Sequence, residues 1–403
     1  MKQNLTFNAP PFEARVGTAG PHWPFLDLIR FSAALLVLLG HARGLLFESF
    51  ARVEHPNPMI RLLYLVSGLQ HEGVVLFFIV SGFLVGGSVW RLIARARFDL
   101  TAYLINRFTR IYLVFIPAML LVLVLDTVGR HFLAEGRFYG VRPLLPANIF
   151  DEWWWSQIPC HLAALQGLMC LPWGANPPLW SLGYEWGLYL FAPAIFAALL
   201  VPLPLLRRLT ACIAVVIVFA ALTWWNPEWP FWFALWMLGA IAARLFVARP
   251  IRLHFGIAGL VIAALAMIVS RMALIPPLVT DAFLAAGLAV AVASPAVMGW
   301  TAGIRAIPRG ASFSYSLYAI HLPVCVFIGA LLERFAGWPP VLVQPDLRGI
   351  LGFALMLAGA LIAARGFAYV TEDRTAAMRD WLTGLRASLL GRSNRFQKLD
   401  VTK

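Results

Sequence analysis

Apolar residues run along this chain in blocks about as long as a bilayer-spanning helix, roughly 20 residues each, separated by short polar or basic stretches. Ten blocks stand out, at roughly 24–46, 70–93, 109–128, 184–203, 209–225, 229–248, 253–270, 274–294, 311–332 and 347–369. In hydrocarbon a segment must satisfy its own backbone hydrogen bonds, which a helix does internally. The pattern therefore predicts an all-α polytopic membrane protein with about ten transmembrane helices. Every connection is short except 129–183. Within it, 150–178 holds only a short apolar run, Ile158–Leu171, and the sequence leaves open whether it spans, re-enters or lies on the membrane. His71 and Glu72, just ahead of the second block, read as loop residues.

Composition agrees. Of 403 residues, 61% are hydrophobic and 13% charged, against about 25% charged in a soluble domain. The net charge of +13 does not point to nucleic acid, because cytoplasmic loops of membrane proteins collect Lys and Arg. Cys212 and Cys325 fall in apolar spans and read as packing residues. Cys160 and Cys170 could pair in an oxidising space, but free thiols are the expectation. No spacing resembles a metal site. The first 22 residues are mixed, so the first block is expected to act as an uncleaved anchor.

Charge orients the chain. With the N-terminus in the cytoplasm, 22 of the 32 Lys and Arg fall in cytoplasmic segments and nine in outer ones. Both termini are then cytoplasmic. This divides the chain into an N-terminal tail (1–22), a transmembrane domain (23–371) and a basic C-terminal tail (372–403). Trp153, Trp154, Trp155, Trp173, Trp180, Trp224, Trp225 and Trp229 gather at the outer face, as an interfacial belt would. The tail 374–398 mixes Trp381, Leu382, Leu385 and Leu389 with arginines, which suits a helix on anionic lipid or a solvated anchor.

Polar residues inside the blocks carry the candidate chemistry. Arg30 and His41 lie in the first one. Eleven residues make about three turns, so the two share a helix face about 16 Å apart along the axis. Ionisable groups in a span are costly and mark a polar interior. Arg107 and Arg110, at i, i+3, enter the third block on one face. They suit a forked grip on phosphate, although anchoring at the membrane edge needs the same residues. Glu185 starts the fourth block. His321 lies mid-block in the ninth, where an imidazole either bonds a neighbouring helix or joins a polar passage. By depth, the arginines group near the cytoplasm, and His41 and Glu185 near the outside.

Several segments resemble the acyltransferase-3 family of integral-membrane O-acyltransferases. Arg30 and His41 match its arginine and histidine separated by ten residues. Phe77-Phe78-Ile79-Val80-Ser81-Gly82-Phe83 matches its Phe-Phe-x-x-Ser-Gly-Phe. Arg107-Phe108-Thr109-Arg110 matches its arginine pair. Trp180-Ser181-Leu182-Gly183-Tyr184-Glu185 matches its Trp-Ser-Leu-x-x-Glu, and Ser314-Tyr315-Ser316-Leu317-Tyr318 its late segment. The acid that often precedes the Phe-Phe pair is missing, since Gly73-Val74-Val75 stands there.

The resemblance implies transfer of an acyl group, most simply acetyl, from cytoplasmic acyl-CoA to a hydroxyl of an extracytoplasmic or lipid-linked glycan, in a bacterial inner membrane and without a metal. His41, Glu185 and Arg30 are then the catalytic candidates. Arg107 and Arg110 would hold the CoA, and Trp180, Tyr318 and His321 the acceptor. Glycan or glycolipid and membrane lipid are the expected partners, with a homo-oligomer left open. The rival reading is a transporter or exporter of an anionic or lipid-linked solute, using the same passage without making a bond.

Overall fold

The computed structural model describes residues 23–140, 157–304, 306–339 and 343–400, apart from the side chains of Ala306, Pro308 and 390–400. Trp153, Trp154 and Trp155 lie outside the described residues. The described chain is all-α, with two isolated bridges in place of a sheet.

Among the described residues, nine helices are long and apolar enough to cross a membrane. They include α1 (Pro24–Leu46), α2 (Gln70–Ala94) and α3 (Leu100–Phe132). Next come α4 (Trp180–Leu200), α5 (Leu205–Trp225), α6 (Trp229–Ala248) and α7 (Leu253–Ser270). The eighth block forms α8, Pro277–Val292, of only 16 residues. That is about 24 Å of helix, short of a hydrocarbon core of about 30 Å; α8 instead packs along α7 and against α6. The remaining long helices are α9 (Ser314–Phe335) and α10 (Leu347–Val370), followed by α11 (Thr375–Asp400).

α1 is the hub. It packs on α2 on one side and on α9 and α10 on the other. Its Ala33 and Val37 belong to one apolar core and its Ala34 and Leu38 to a second. α5 sits at the rim against α4 and buries no residue at all. A helix apolar all round with no buried face suits lipid.

The crossing of α2 and α6 is set by glycine. A Cβ on Gly82 would run into the carbonyl of Trp236, and one on Gly239 into the carbonyl of Ile79. With hydrogen alone at both positions the backbones touch, as small residues allow between membrane helices. Beyond this point α2 loosens into a π-helical turn, Gly82–Gly86, before resuming as Gly87–Ala94. Such turns recur at functional sites.

Three local expectations change. Cys160 and Cys170 form a disulfide, Cα atoms 6.4 Å apart, rather than free thiols; a one-turn helix, Ile158–Leu162, and a bridge between Gln166 and Cys170 bring them together. His71 and Glu72 are in the first turn of α2 rather than in a loop: His71 Nε2 lies 2.7 Å from Asp281 Oδ2 of α8, and Glu72 accepts from Ser270. Trp173 and Trp229 are packed inward rather than standing in an interfacial belt, unlike Trp224, which is 88% exposed. Ring partners supplied by the fold remove them from the interface, for Tyr184 meets Trp229 and His161 meets Trp173. The end of the stretch before α4, whose course the sequence left open, descends into the bundle. Ala175 N donates to Asp126 of α3 at 2.8 Å, and Asn176 Nδ2 to the Ala319 carbonyl of α9 at 2.8 Å.

The C-terminal helix is tied back. Arg386 meets Asp99, the cap of α3, at 2.8 Å. Arg386, with the Ala102 N–H, holds the Asp99 carboxyl below its ordinary range. The tail thus shares the Arg97 end of the bundle, and the disulfide is expected at the other end, where an oxidising space would preserve it.

Two outcomes follow. Gly82→Val should prevent α2 from seating on α6 and leave little monodisperse protein on gel filtration in detergent, whereas Gly366→Ala, with open space around it, should behave as the parent. Single cysteines at exposed Arg97 and Glu135, with native cysteines replaced, should differ in intact cells. A membrane-impermeant thiol reagent should label Glu135→Cys and spare Arg97→Cys; the reverse would invert the topology.

Candidate active site

Polar side chains from α1, α2, α3, α4, α6 and α9 converge on one cavity of about 300 Å³. Arg30 reaches it from α1, Ser81 from α2, Arg107 and Arg110 from α3, Glu185 and Tyr189 from α4, Trp236 from α6, and Tyr315 and Tyr318 from α9. Phe77, Val80, Leu84 and Ile111 supply apolar wall. A small cavity with an apolar wall and a few converging polar groups is the usual form of a small-molecule site.

The carboxylate side is tightly organised. Glu185 Oε1 accepts from Ser81 Oγ at 2.9 Å and from the Tyr189 hydroxyl one turn along α4. Trp236 Nε1 donates to Ser81 Oγ at 3.2 Å across the glycine crossing. Tyr103 donates to the Tyr189 carbonyl at 2.8 Å. Ser81 stands immediately before the π turn, so the loosened winding and the site share one position.

The three arginines are held in three ways. Arg30 pairs with Asp27 of its own helix at 2.5 Å. Arg110 lies 3.5 Å from Glu372, over the Tyr315 ring. Glu372 is in turn clamped by Ser316, whose backbone N–H and hydroxyl each donate at 3.0 Å. Arg107 sits over the rings of Tyr103 and Tyr189, 5.8 and 5.4 Å from their centroids. Among the described residues no ion pair engages Arg107, and its Nε has no hydrogen-bond partner. Arg107 is therefore the guanidinium best placed to take an incoming anion.

His41 is beside the cavity rather than in its lining. Its Nδ1 lies 2.9 Å from the Val37 carbonyl and 3.1 Å from Nε2 of His321. Tyr318 joins the two regions: its ring is 5.9 Å from that of His321, and it also lines the cavity. The Tyr318 hydroxyl donates to the Pro178 carbonyl at 2.8 Å and accepts from Ser181 at 2.6 Å.

The expected layering changes accordingly. Glu185 shares its cavity with the three arginines instead of standing outside them with His41. The cause is the descending segment: Leu179 is fully buried and Pro178 meets Tyr318 one turn into α9, so α4 begins inside the bundle. Trp180 falls outside the lining, in a cluster with Tyr184 and Trp232. Asp27, Tyr189, Trp236 and Glu372 escaped the reading of the sequence. Asp27 and Tyr189 were findable, three and four residues from Arg30 and Glu185 on the same helices. Nothing local announces Trp236 or Glu372.

The family model described as an acyltransferase domain matches residues 23–365. The chain belongs to the acyltransferase-3 family. It is a membrane acyltransferase, and the matched region carries every lining residue of the cavity. No curated protein and no solved structure matches the chain. Glu372 lies beyond the matched region, yet completes the surroundings of Arg110.

Glu372→Ala should remove that counter-ion and orphan the buried Ser316 N–H, which costs about 1–3 kcal/mol. A lowered thermal midpoint in detergent checks it, with Asp373→Ala, an exposed neighbour, expected to change little.

Proposed function

We propose that this acyltransferase is an O-acyltransferase of the bacterial inner membrane. It moves an acyl group, most simply acetyl, from cytoplasmic acyl-CoA to a hydroxyl of an extracytoplasmic or lipid-linked glycan. The observation that carries this reading is one cavity that combines three guanidinium groups with a hydrogen-bonded carboxylate, bordered by a histidine pair. Forked guanidinium contacts suit phosphate and a developing oxyanion. The volume is at the low end for small-molecule sites, so it suits the reactive end of a donor better than a whole CoA.

The roles follow from position. Arg107 and Arg110 bind the donor's anionic groups, and Arg30 faces the carbonyl that must accept negative charge. His41 removes the proton from the acceptor hydroxyl as its oxygen attacks the thioester carbon. The carbon–sulfur bond then breaks, and the proton passes to the departing sulfur. Imidazole suits both halves of that exchange near neutral pH. An acyl group held briefly on His41 is the two-step variant. Glu185, fixed by Ser81 and Tyr189, balances the arginines and orients what enters between them.

Membranes carrying each variant, supplied with radiolabelled acetyl-CoA, test the chemistry by label in the glycan fraction. His41→Ala should lose on the order of 10²–10⁴-fold at unchanged protein amount. Transfer at the parent rate would sink the mechanism. Arg107→Ala and Arg110→Ala should weaken CoA binding by about 1.5–3 kcal/mol in calorimetric titration, and lysine should restore only part, because it lacks the fork. Equal affinities would return both residues to topological anchors.

A further inference from the structure

His321 is fully buried in α9, and three contacts restrict where its proton can be. Nδ1 lies 2.8 Å from the Tyr318 carbonyl and 3.2 Å from the Leu317 carbonyl. Carbonyls only accept, so Nδ1 carries the hydrogen. In the neutral ring Nε2 is then an acceptor. The group 3.1 Å from it is His41 Nδ1, which also lies 2.9 Å from the Val37 carbonyl. Two acceptors therefore face His41 Nδ1, which must carry hydrogen as well. The opposite assignment would aim a lone pair at a carbonyl in both rings. Among the described residues, one nitrogen of the pair is left with an uncommitted lone pair, Nε2 of His41.

We infer that His321 is a positioning residue for transfer: as a neutral hydrogen-bond acceptor it fixes the His41 ring and tautomer, presenting Nε2 as the base. The inference rests on the acyltransferase reading with His41 as base and replaces the expectation that His321 touches the acceptor. The proton follows directly. When the hydroxyl proton reaches His41 Nε2, the ring becomes a cation, and its Nδ1–H bond to His321 becomes charge-assisted. His321 cannot pass the proton on, because its own Nδ1–H ends on carbonyl oxygens. The proton stays on the pair until the leaving sulfur takes it. A carboxylate in this place would do the same work only by burying another charge. Tyr318 contributes a carbonyl to hold His321 and also lines the cavity, so filling the cavity and setting the base share one residue.

The test pairs His321→Leu, which removes the acceptor, with His321→Gln, whose amide oxygen can replace Nε2. In the membrane assay His321→Leu should lower kcat on the order of 10–100-fold, by analogy with the loss when the partner orienting a metal-bound histidine is removed, with KM for acetyl-CoA unchanged. His321→Gln should recover most of it. Nuclear magnetic resonance of isotope-labelled histidine in the wild-type protein reads the pair without turnover. The His41 signals, assigned by their loss in His41→Ala, should show a neutral ring protonated on Nδ1. Protonation of His41 on Nε2 alone overturns the inference even if neither variant folds. So does a kcat for His321→Leu within about twofold of parent, or a well-folded His321→Gln no better than His321→Leu. Full transfer by His41→Ala would instead defeat the underlying reading, and the resonance result would stand apart from it.

Discussion

Three guanidinium groups face one cavity inside a hydrocarbon-embedded bundle, and the cost of keeping that charge from water shapes everything around it. An arginine at depth survives only where charge, hydrogen bonds or aromatic faces compensate it. Each arginine here meets a different solution: a carboxylate on its own helix for Arg30, one from beyond the last span for Arg110, and two tyrosine faces for Arg107. These solutions recruit α1, α3, α4 and the start of the C-terminal segment to one place.

The compensation depends on close approach. Ser81 can serve Glu185 of α4 and Trp236 of α6 together because Gly82 and Gly239 let α2 lie directly on α6. The π turn after Ser81 releases α2 from strict α-helical winding where it borders the cavity. The descending segment before α4 has the same logic: Asp126 and the Ala319 carbonyl satisfy its backbone and side-chain donors, so irregular chain is tolerated inside the bundle.

The histidine pair uses the same economy with protons. Backbone carbonyls of α1 and α9 orient both rings without adding charge, leaving the cavity's electrostatics to the arginines and Glu185. This arrangement keeps the histidine pair next to the cavity that holds the arginines and joins the two through Tyr318.

By itself the sequence determined the helical, membrane-spanning class, the family, and which polar residues stand out, because block length, loop charge and motif order are local properties of the chain. Arg30, Arg107, Arg110 and Glu185, each singled out from the sequence, line one cavity. Tertiary structure decided their grouping. The depth of Glu185 depends on a segment that folds inward, which helix length cannot announce. The His41–His321 contact joins α1 to α9, the Arg110–Glu372 pair joins α3 to the start of the C-terminal segment, and the Cys160–Cys170 bond turns on a local bend. The two contacts between helices depend on those helices meeting at particular angles, and the angles come from packing across the whole bundle rather than from any one stretch of sequence.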